Sequence, residues 1–169
     1  MAIKNFWSLQ VGEVVVADKL KKELGKKYVI FMPLDNQLKD IDLVLVNVKT
    51  KKLKTIQVKE SREYTEFAGN GWINVNKNKV NKLVADFYIF VIYRRIEKRD
   101  KQKIQPEFLI IKSKILKERS KNKTPRGKKK DTFYYFLKIR DKEAFDDNEG
   151  KNKKIYFTDC LNNFNVLKI

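Results

Sequence analysis

Four polar side chains in the N-terminal part of the chain, Glu13, Asp42, Gln57 and Lys59, combine oxygen ligands with one ammonium group. Carboxylate and amide oxygens bind hard divalent cations such as Mg²⁺, which polarise a phosphoryl group and lower the pKa of a bound water. A nearby lysine orients or deprotonates the attacking water and offsets negative charge in the transition state. Residues of these types can therefore hydrolyse a phosphodiester bond if the fold gathers them.

The composition narrows the chemistry, because the chain has no histidine and a single cysteine, Cys160. Ser-His-Asp triads, histidine general bases and His-containing zinc sites are excluded, and the thiol lacks a base to activate it. Hydrolysis would then depend on carboxylates, lysine and a metal. A lone cysteine forms no intramolecular disulfide, and no signal peptide or apolar stretch of membrane-spanning length is found. The sequence thus predicts a soluble, cytoplasmic protein.

The first element that would position this chemistry is a helix, which Ser8 can cap and which ends at Leu24 before Gly25. Glu13 falls on the same helical stripe as the apolar residue Leu20. A carboxylate on an inward stripe is costly without a partner. A functional role is one interpretation of Glu13, and a lysine partner or a solvent-exposed helix end is the other.

Three β-strands are predicted next, at residues 28–32, 41–48 and 53–61. The last two form an antiparallel hairpin around a short Lys-rich turn. Alternation along the third strand puts Gln57 and Lys59 on one face, and pairing of the hairpin strands would bring Asp42 close to them. Each residue also has an ordinary interpretation, Asp42 as a turn or cap residue and Gln57 and Lys59 as a solvated strand face.

The remaining pattern predicts a loop over residues 62–75, a helix capped by Asn76 or Asn78 and ending near Ala85, and a fully buried strand over 87–93. Further elements are expected at 107–111 (strand), 113–119 (helix) and 133–139 (strand). The chain shows no internal repeat. We interpret it as a single domain, residues 1–169, with a core at about 8–95 and a basic C-terminal extension at 96–169.

Together these features resemble the PD-(D/E)XK, or restriction-endonuclease-like, nuclease superfamily. The matching residues are Gly12-Glu13 on the first helix, Asp42 at the start of an apolar strand, and Gln57-Val58-Lys59 fifteen residues after Asp42. The helix from Asn78 and the strand that begins Asp86-Phe87 also resemble the closing elements of that family. The resemblance covers roughly residues 8–95.

The resemblance implies an α/β fold with an αβββαβ core around a mixed central sheet, and a Mg²⁺-dependent endodeoxyribonuclease for which Mn²⁺ is an alternative cofactor. Asp42, Gln57 and Glu13 would be the metal ligands, and Lys59 would be the catalytic lysine. Gln57 departs from the family pattern, which has an acid there, so Mg²⁺ affinity would be lower. Neutral replacements of this kind occur among group I intron homing endonucleases, which the chain also resembles. Glu60 would point to the opposite face of a regular strand.

The charge points to a polyanionic partner, because 39 Lys and Arg oppose 21 Asp and Glu for a net charge of +18. Residues 97–130 alone hold 14 Lys and Arg against 4 Asp and Glu, a net +10, and residues 121–130 are expected to form a mobile basic loop. Acidic residues between 141 and 149 are interpreted as a solvated loop. The candidate contacts to double-stranded DNA are Arg62, Tyr64, Lys77, Lys79, Lys121, Lys123 and Arg126.

Two other functions stay open at this point. The chain could be a non-catalytic nucleic-acid-binding domain that retains the nuclease fold, which Gln57 would permit. It could also be a structural protein whose lysine content reflects only the base composition of its genome. If it is a nuclease, cutting both strands of a duplex usually requires two active sites, so a homodimer or a higher symmetric oligomer is expected.

Overall fold

The computed structural model describes residues 11–33, 38, 40–62, 70–98, 101–140, 142–147 and 154–168, except for the side chains of residues 62, 70, 95–98, 101 and 102. The helices are α1 (Val11–Leu24), α2 (Lys77–Lys82) and α3 (Ser113–Ser120). The strands are β1 (Tyr28–Phe31), β2 (Leu43–Asn47), β3 (Leu53–Arg62), β4 (Asn70–Asn76), β5 (Phe87–Lys98), β6 (Lys101–Lys112), β7 (Thr132–Arg140), β8 (Glu143–Asp146) and β9 (Ile155–Tyr156). Short 3₁₀ turns occur at 25–27, 158–160 and 164–167.

The main sheet has five strands in the order β1-β2-β3-β5-β6. All neighbours are antiparallel except β3 and β5, which run parallel with Gln57 opposite Tyr88. Parallel neighbours need a crossover connection, and here the connection contains β4 and α2. The domain is therefore of mixed α/β type, with few helices.

One face of the main sheet is covered by α1 and by the C-terminal 3₁₀ turn. Val16 and Leu20 of α1 are fully buried against inward residues of β3 and β5 such as Ile56 and Ile89. Gly25 follows the last residue of α1 and lies in the left-handed region at φ 67°. Glycine adopts that conformation without strain and is therefore common at helix ends.

A second, antiparallel sheet in the order β4-β7-β8-β9 packs on the opposite face. Tyr88 and Phe90 of β5 form one core with Ile73 and Tyr135 of the second sheet. The two sheets approach closely at Gly71, where an added Cβ would lie 2.9 Å from the side chain of Ile92. A larger residue at that position would separate the layers.

The second sheet leaves the β1–β2 side of this face open. Val29 pairs with Val46, which in turn pairs with Leu53, and Phe31 pairs with Val44. Val29, Phe31 and Leu53 are exposed. We call these five residues the apolar strip. By strand alternation, they share a face with Asp42 and Gln57.

Several sequence predictions are confirmed. The first helix ends at Leu24, β2 and β3 form the expected antiparallel hairpin, and Asn76 caps α2 by accepting hydrogen bonds from the backbone of Asn78 and Lys79. The strand expected at 87–93 is fully buried along its first six residues. Ser8 lies outside the described residues.

Two predictions about the later part of the chain are wrong. The expected loop at 62–75 contains strand β4, whose inward residues are Gly71, Ile73 and Val75. Glycine and asparagines in β4 hide the strand pattern, because both are depleted in strands. The stretch interpreted as a C-terminal extension supplies β6 to the main sheet and three strands to the second sheet.

Within the described residues, we find no helix with the length and apolar character that crossing a membrane requires.

Candidate active site

The carboxylate of Asp42 and the side-chain amide of Gln57 are in contact across the β2–β3 hairpin. The backbone N–H of Asp42 donates to the carbonyl of Ile56 at 2.9 Å, which extends the hairpin pairing to Asp42. Its Oδ2 accepts hydrogen bonds from Gln57 Nε2 and from the backbone N–H of Val58, the latter at 2.6 Å. Among the described residues both bonds end on Oδ2, so Oδ1 is left for another ligand.

Lys59 follows Gln57 by two residues and therefore lies on the same face of β3. Gln57 is buried, whereas Lys59 and Asp42 are half-buried. The site thus lies at the border between the covered part of the sheet and the open part that carries the apolar strip. An amide, a carboxylate and an ammonium group occupy one face at a point that solvent reaches.

Glu13 lies on α1, which covers the other face of the sheet. The neighbouring Gly12 is so close to Glu60 that an added Cβ would lie 2.7 Å from Glu60 Oε2. Glu60 accepts a hydrogen bond from the Tyr93 hydroxyl at 3.2 Å and points away from Gln57, as the sequence predicted. Glu13 is buried and has an interaction partner. The described contacts do not join it to Asp42, Gln57 or Lys59, so its role in the site stays a prediction.

Tyr88 is a component of the site that sequence reasoning missed. It is buried on β5 directly beside Gln57. Burial, and then the negative charges of Asp40 and Asp42, raise the pKa of Tyr88 to about 12. The hydroxyl therefore remains a proton donor near these carboxylates at neutral pH. The apolar run of β5 indicates a buried strand, but only the parallel pairing with β3 shows that Tyr88 neighbours Gln57.

Lys79 joins α2 to the same region, because its ammonium group forms an ion pair with Asp40. Asp40 has φ 75°, in the left-handed region that aspartate tolerates better than most residues, and comes two residues before Asp42. Lys79 was predicted to contact DNA. In the structure its described partner is the Asp40 carboxylate. The positive charge of Lys79 offsets part of the acidic charge beside the site.

The oxygen ligands available for a metal are few. No group of three or more His, Cys, Asp or Glu residues able to hold a metal ion occurs among the described residues. Asp42 and Gln57 would offer one carboxylate and one amide oxygen. Mg²⁺ sites commonly use one or two carboxylates and complete the shell with water and substrate phosphate, so the pair fits a weak site that substrate completes.

The prediction that Lys123 contacts DNA is wrong. Its side chain is fully buried, its Nζ lies 2.5 Å from Asp146 Oδ2, and it sits over the ring of Tyr135. Asp146, expected in a solvated acidic loop, is also fully buried, and its Oδ1 accepts the backbone N–H of Phe136 at 2.7 Å. An isolated buried charge is very costly. The ion pair between Lys123 and Asp146 therefore explains how both charged side chains can be buried.

The other predicted DNA contacts differ in their surroundings. Lys77 and Lys121 line a cleft between α2 and α3. Arg126 is exposed, in a turn that its backbone closes by pairing with Thr132 at 2.8 and 3.2 Å. The expected loop therefore has defined hydrogen bonds. Tyr64 and the side chain of Arg62 lie outside the described residues.

Trp72 occupies the outer face of the second sheet. It is 45% exposed and makes edge-to-face contacts with Tyr134 and Phe136, each at 5.9 Å between ring centroids. Its indole N–H donates to Asn74 at 2.8 Å. Core packing does not account for this tryptophan, which presents an aromatic surface to solvent.

Comparisons with known proteins give no relative against which to check this site: no protein-family model, curated protein or solved structure matches the chain significantly.

Proposed function

We propose that the chain is a metal-dependent DNA endonuclease of the restriction-endonuclease-like type, with Asp42, Gln57 and Lys59 at its active site. The observation that carries the proposal is the contact between Asp42 and Gln57, with Lys59 on the same face of β3. Residues 15 positions apart meet there because the hairpin joins them. A solvated strand face would not require a buried glutamine bonded to a carboxylate.

The order of elements supports the same proposal. A helix, three strands, a second helix and a strand parallel to the third follow one another, with β4 as an addition before the second helix. This is the αβββαβ order of the superfamily that the sequence resembles. Fold alone does not define function, so the residues on β2 and β3 carry more of the argument than the topology.

In the proposed mechanism, Asp42 and Gln57 would hold the cation and orient the scissile phosphate beside β3. The cation, when bound, would supply Lewis acidity and a more acidic water. Lys59 donates hydrogen bonds to the attacking water or to a phosphate oxygen, and its positive charge offsets the charge that develops during attack. Tyr88 lies near the carboxylates and remains protonated at neutral pH, because burial and the charges of Asp40 and Asp42 raise its pKa to about 12. None of these functions requires histidine.

Plasmid cleavage in Mg²⁺, in Mn²⁺ and in EDTA tests the proposal. The wild type should convert supercoiled DNA to nicked or linear forms with either metal and not in EDTA. Asp42→Asn removes the one carboxylate of the site and should abolish cleavage. Asp18→Asn, at an exposed position on α1 paired only with Lys22 among the described residues, is the control and should cleave like the wild type. Equal cleavage by the two variants would reject the site.

A second candidate, a non-catalytic nucleic-acid-binding domain, is favoured by one specific observation. No group of three metal-binding acids, histidines or cysteines occurs in the described part of the chain, which agrees with a glutamine, Gln57, at the position where the resembled superfamily has an acid. Such a domain would bind duplex DNA with a steep dependence on salt and cut nothing in either metal. The same plasmid assay, paired with a binding titration, separates the two functions.

A homodimer or higher symmetric assembly is part of the proposal, because two sites are needed to cut both strands. The apolar strip of the main sheet offers a surface for such an assembly, since exposed apolar patches of this kind often mark interfaces. Light scattering of the DNA complex should give a protein mass, after the DNA mass is subtracted, of at least twice the mass of one chain. A monomer on DNA would contradict this part. We also propose a cytoplasmic location, which is consistent with the single cysteine of the chain, Cys160, being buried and not in a disulfide.

A further inference from the structure

Helices α2 and α3 border a surface cleft of about 240 Å³. Its lining residues include four lysines, two polar residues and no acidic residue: Lys77, Lys117, Lys121, Lys123, Asn81 and Ser120. Lys77 is separated by 40 or more residues from the other three cleft lysines, and only the packing of α2 beside α3 brings them to one cleft. The sequence alone indicated a diffuse basic segment and not a shared cavity.

The charge of the cleft is only partly compensated by the described residues. Lys123 is neutralised by the buried Asp146. Lys117 donates to the backbone carbonyl of Asn81 at 2.9 Å, which leaves its positive charge unbalanced. Lys121 pairs with Glu118 at 2.7 Å, but both side chains are largely exposed, so water and salt screen the pair.

The position of the cleft relates it to the candidate active site. Lys77 and Asn81 are four residues apart and lie on one side of α2, whereas Lys79 lies on the other side, where it pairs with Asp40. Asp40 comes two residues before Asp42. One short helix therefore separates the lysine-lined cleft from the region of Asp42 and Gln57.

We propose that this cleft binds a phosphate group of the nucleic-acid backbone and so holds the strand beside the active site. Clustered ammonium groups bind phosphate through charge-assisted hydrogen bonds. Lys77 and Lys121 supply the charge and Asn81 and Ser120 line the same cavity. The choice of nucleic acid over free phosphate rests on the proposed function. The cleft itself depends only on the described side chains.

The test compares two charge-matched double variants in the full chain. Lys77→Ala with Lys121→Ala removes cleft lysines, whereas Lys82→Ala with Lys114→Ala removes exposed lysines from the same two helices. Affinity for a short duplex is measured in EDTA over a range of salt concentrations. The slope of log affinity against log salt should become shallower by about one in the cleft variant and stay at the wild-type value in the control. Equal slopes for the two variants would overturn the proposal.

A second arm distinguishes the source of the phosphate. Inorganic phosphate is titrated into the wild type and amide chemical shifts are followed by NMR. Shifts at the cleft together with a shallower DNA slope in the cleft variant support a backbone phosphate site. Shifts at the cleft with an unchanged DNA slope mean that the cleft takes free phosphate, which contradicts the proposal. Lys77→Arg with Lys121→Arg should restore the slope, because it restores the charge.

A failure of the cleft proposal can be distinguished from a failure of the nuclease proposal. Binding is measured without metal, so a protein that binds DNA through the cleft and never cuts would reject the nuclease function and keep the cleft. A protein that cuts normally, with equal binding slopes in both double variants, would reject the cleft and keep the nuclease function.

Discussion

Gln57 donates its side-chain amide to the carboxylate of Asp42 across the β2–β3 hairpin. The superfamily that the chain resembles has an acid at the position of Gln57. A second carboxylate there would repel the first, whereas the neutral amide forms a hydrogen bond. The contact is therefore favourable without a metal, and the proposed cation site would have one negative charge fewer.

Gln57→Glu should make the protein less stable without a metal and increase its affinity for a cation. Without metal, two adjacent carboxylates should lower the free energy of unfolding by about 1–2 kcal/mol, because like charges repel and a hydrogen bond is lost. Mg²⁺ should restore stability and raise the melting temperature of the variant more than that of the wild type. Thermal melts with and without Mg²⁺ measure both effects.

The control for that prediction is Gln105→Glu, at an exposed position on β6. It introduces the same charge away from Asp42 and should leave both the melting temperature and its response to Mg²⁺ at wild-type values. If Gln57→Glu behaves like this control, Asp42 and Gln57 do not form a cation site.

Tyr88 should make stability depend on alkaline pH. Its pKa is raised to about 12, while an unfolded tyrosine ionises near pH 10. Between those values the folded state holds a proton that the unfolded state has lost, so stability is fully present below about pH 10 and falls as pH rises. Tyr93, raised to about 12 by burial and by Glu60, adds to the same slope.

Tyr88→Phe should therefore unfold with a shallower dependence on pH above about 10 than the wild type. Urea denaturation at several pH values between about 9 and 11.5 gives this slope. Tyr156→Phe, at an exposed site, should keep the wild-type slope. An unchanged slope in Tyr88→Phe would mean that its hydroxyl does not lie in the apolar, acidic surroundings described for it.

Lys123→Met tests the corrected assignment of Lys123. Because the change removes the ammonium group that pairs with the buried Asp146 carboxylate, the free energy of unfolding should fall by about 3–5 kcal/mol. Lys22→Ala, which breaks an exposed pair with Asp18, should change stability by less than about 1 kcal/mol. Urea denaturation compares the two. A loss of DNA affinity in Lys123→Met without a loss of stability would contradict the structural role.

The hairpin that carries Asp42, Gln57 and Lys59 could be predicted from sequence, because an alternating pattern and a short turn set its pairing locally. Gly25 and Asn76 likewise marked helix ends through their own backbone chemistry. Tyr88 and Lys123 could not be assigned, since their surroundings come from partners far along the chain. A lysine in a basic segment resembles a surface lysine until Asp146 is placed beside it.

The second sheet was missed for a related reason. In β4, Gly71 gives no apolar signal, although the approach of the layers at Ile92 requires a residue without a Cβ. Strand β7 was recognised singly, but its pairing with β4 joins residues about 60 apart. Pairing over such distances depends on the whole core and not on any local pattern.

The central claim is that Lys59 acts in cleavage from the face of β3 that carries Gln57. The most direct test of this claim is the single-turnover rate of duplex DNA cleavage at saturating protein and Mg²⁺. The rate is measured for Lys59→Ala and for a control, Lys54→Ala, which removes a lysine from the opposite face of the same strand. Lys59→Ala should cut at least about a hundredfold more slowly while binding DNA normally, and Lys54→Ala should cut at the wild-type rate. A wild-type rate in Lys59→Ala would contradict the account.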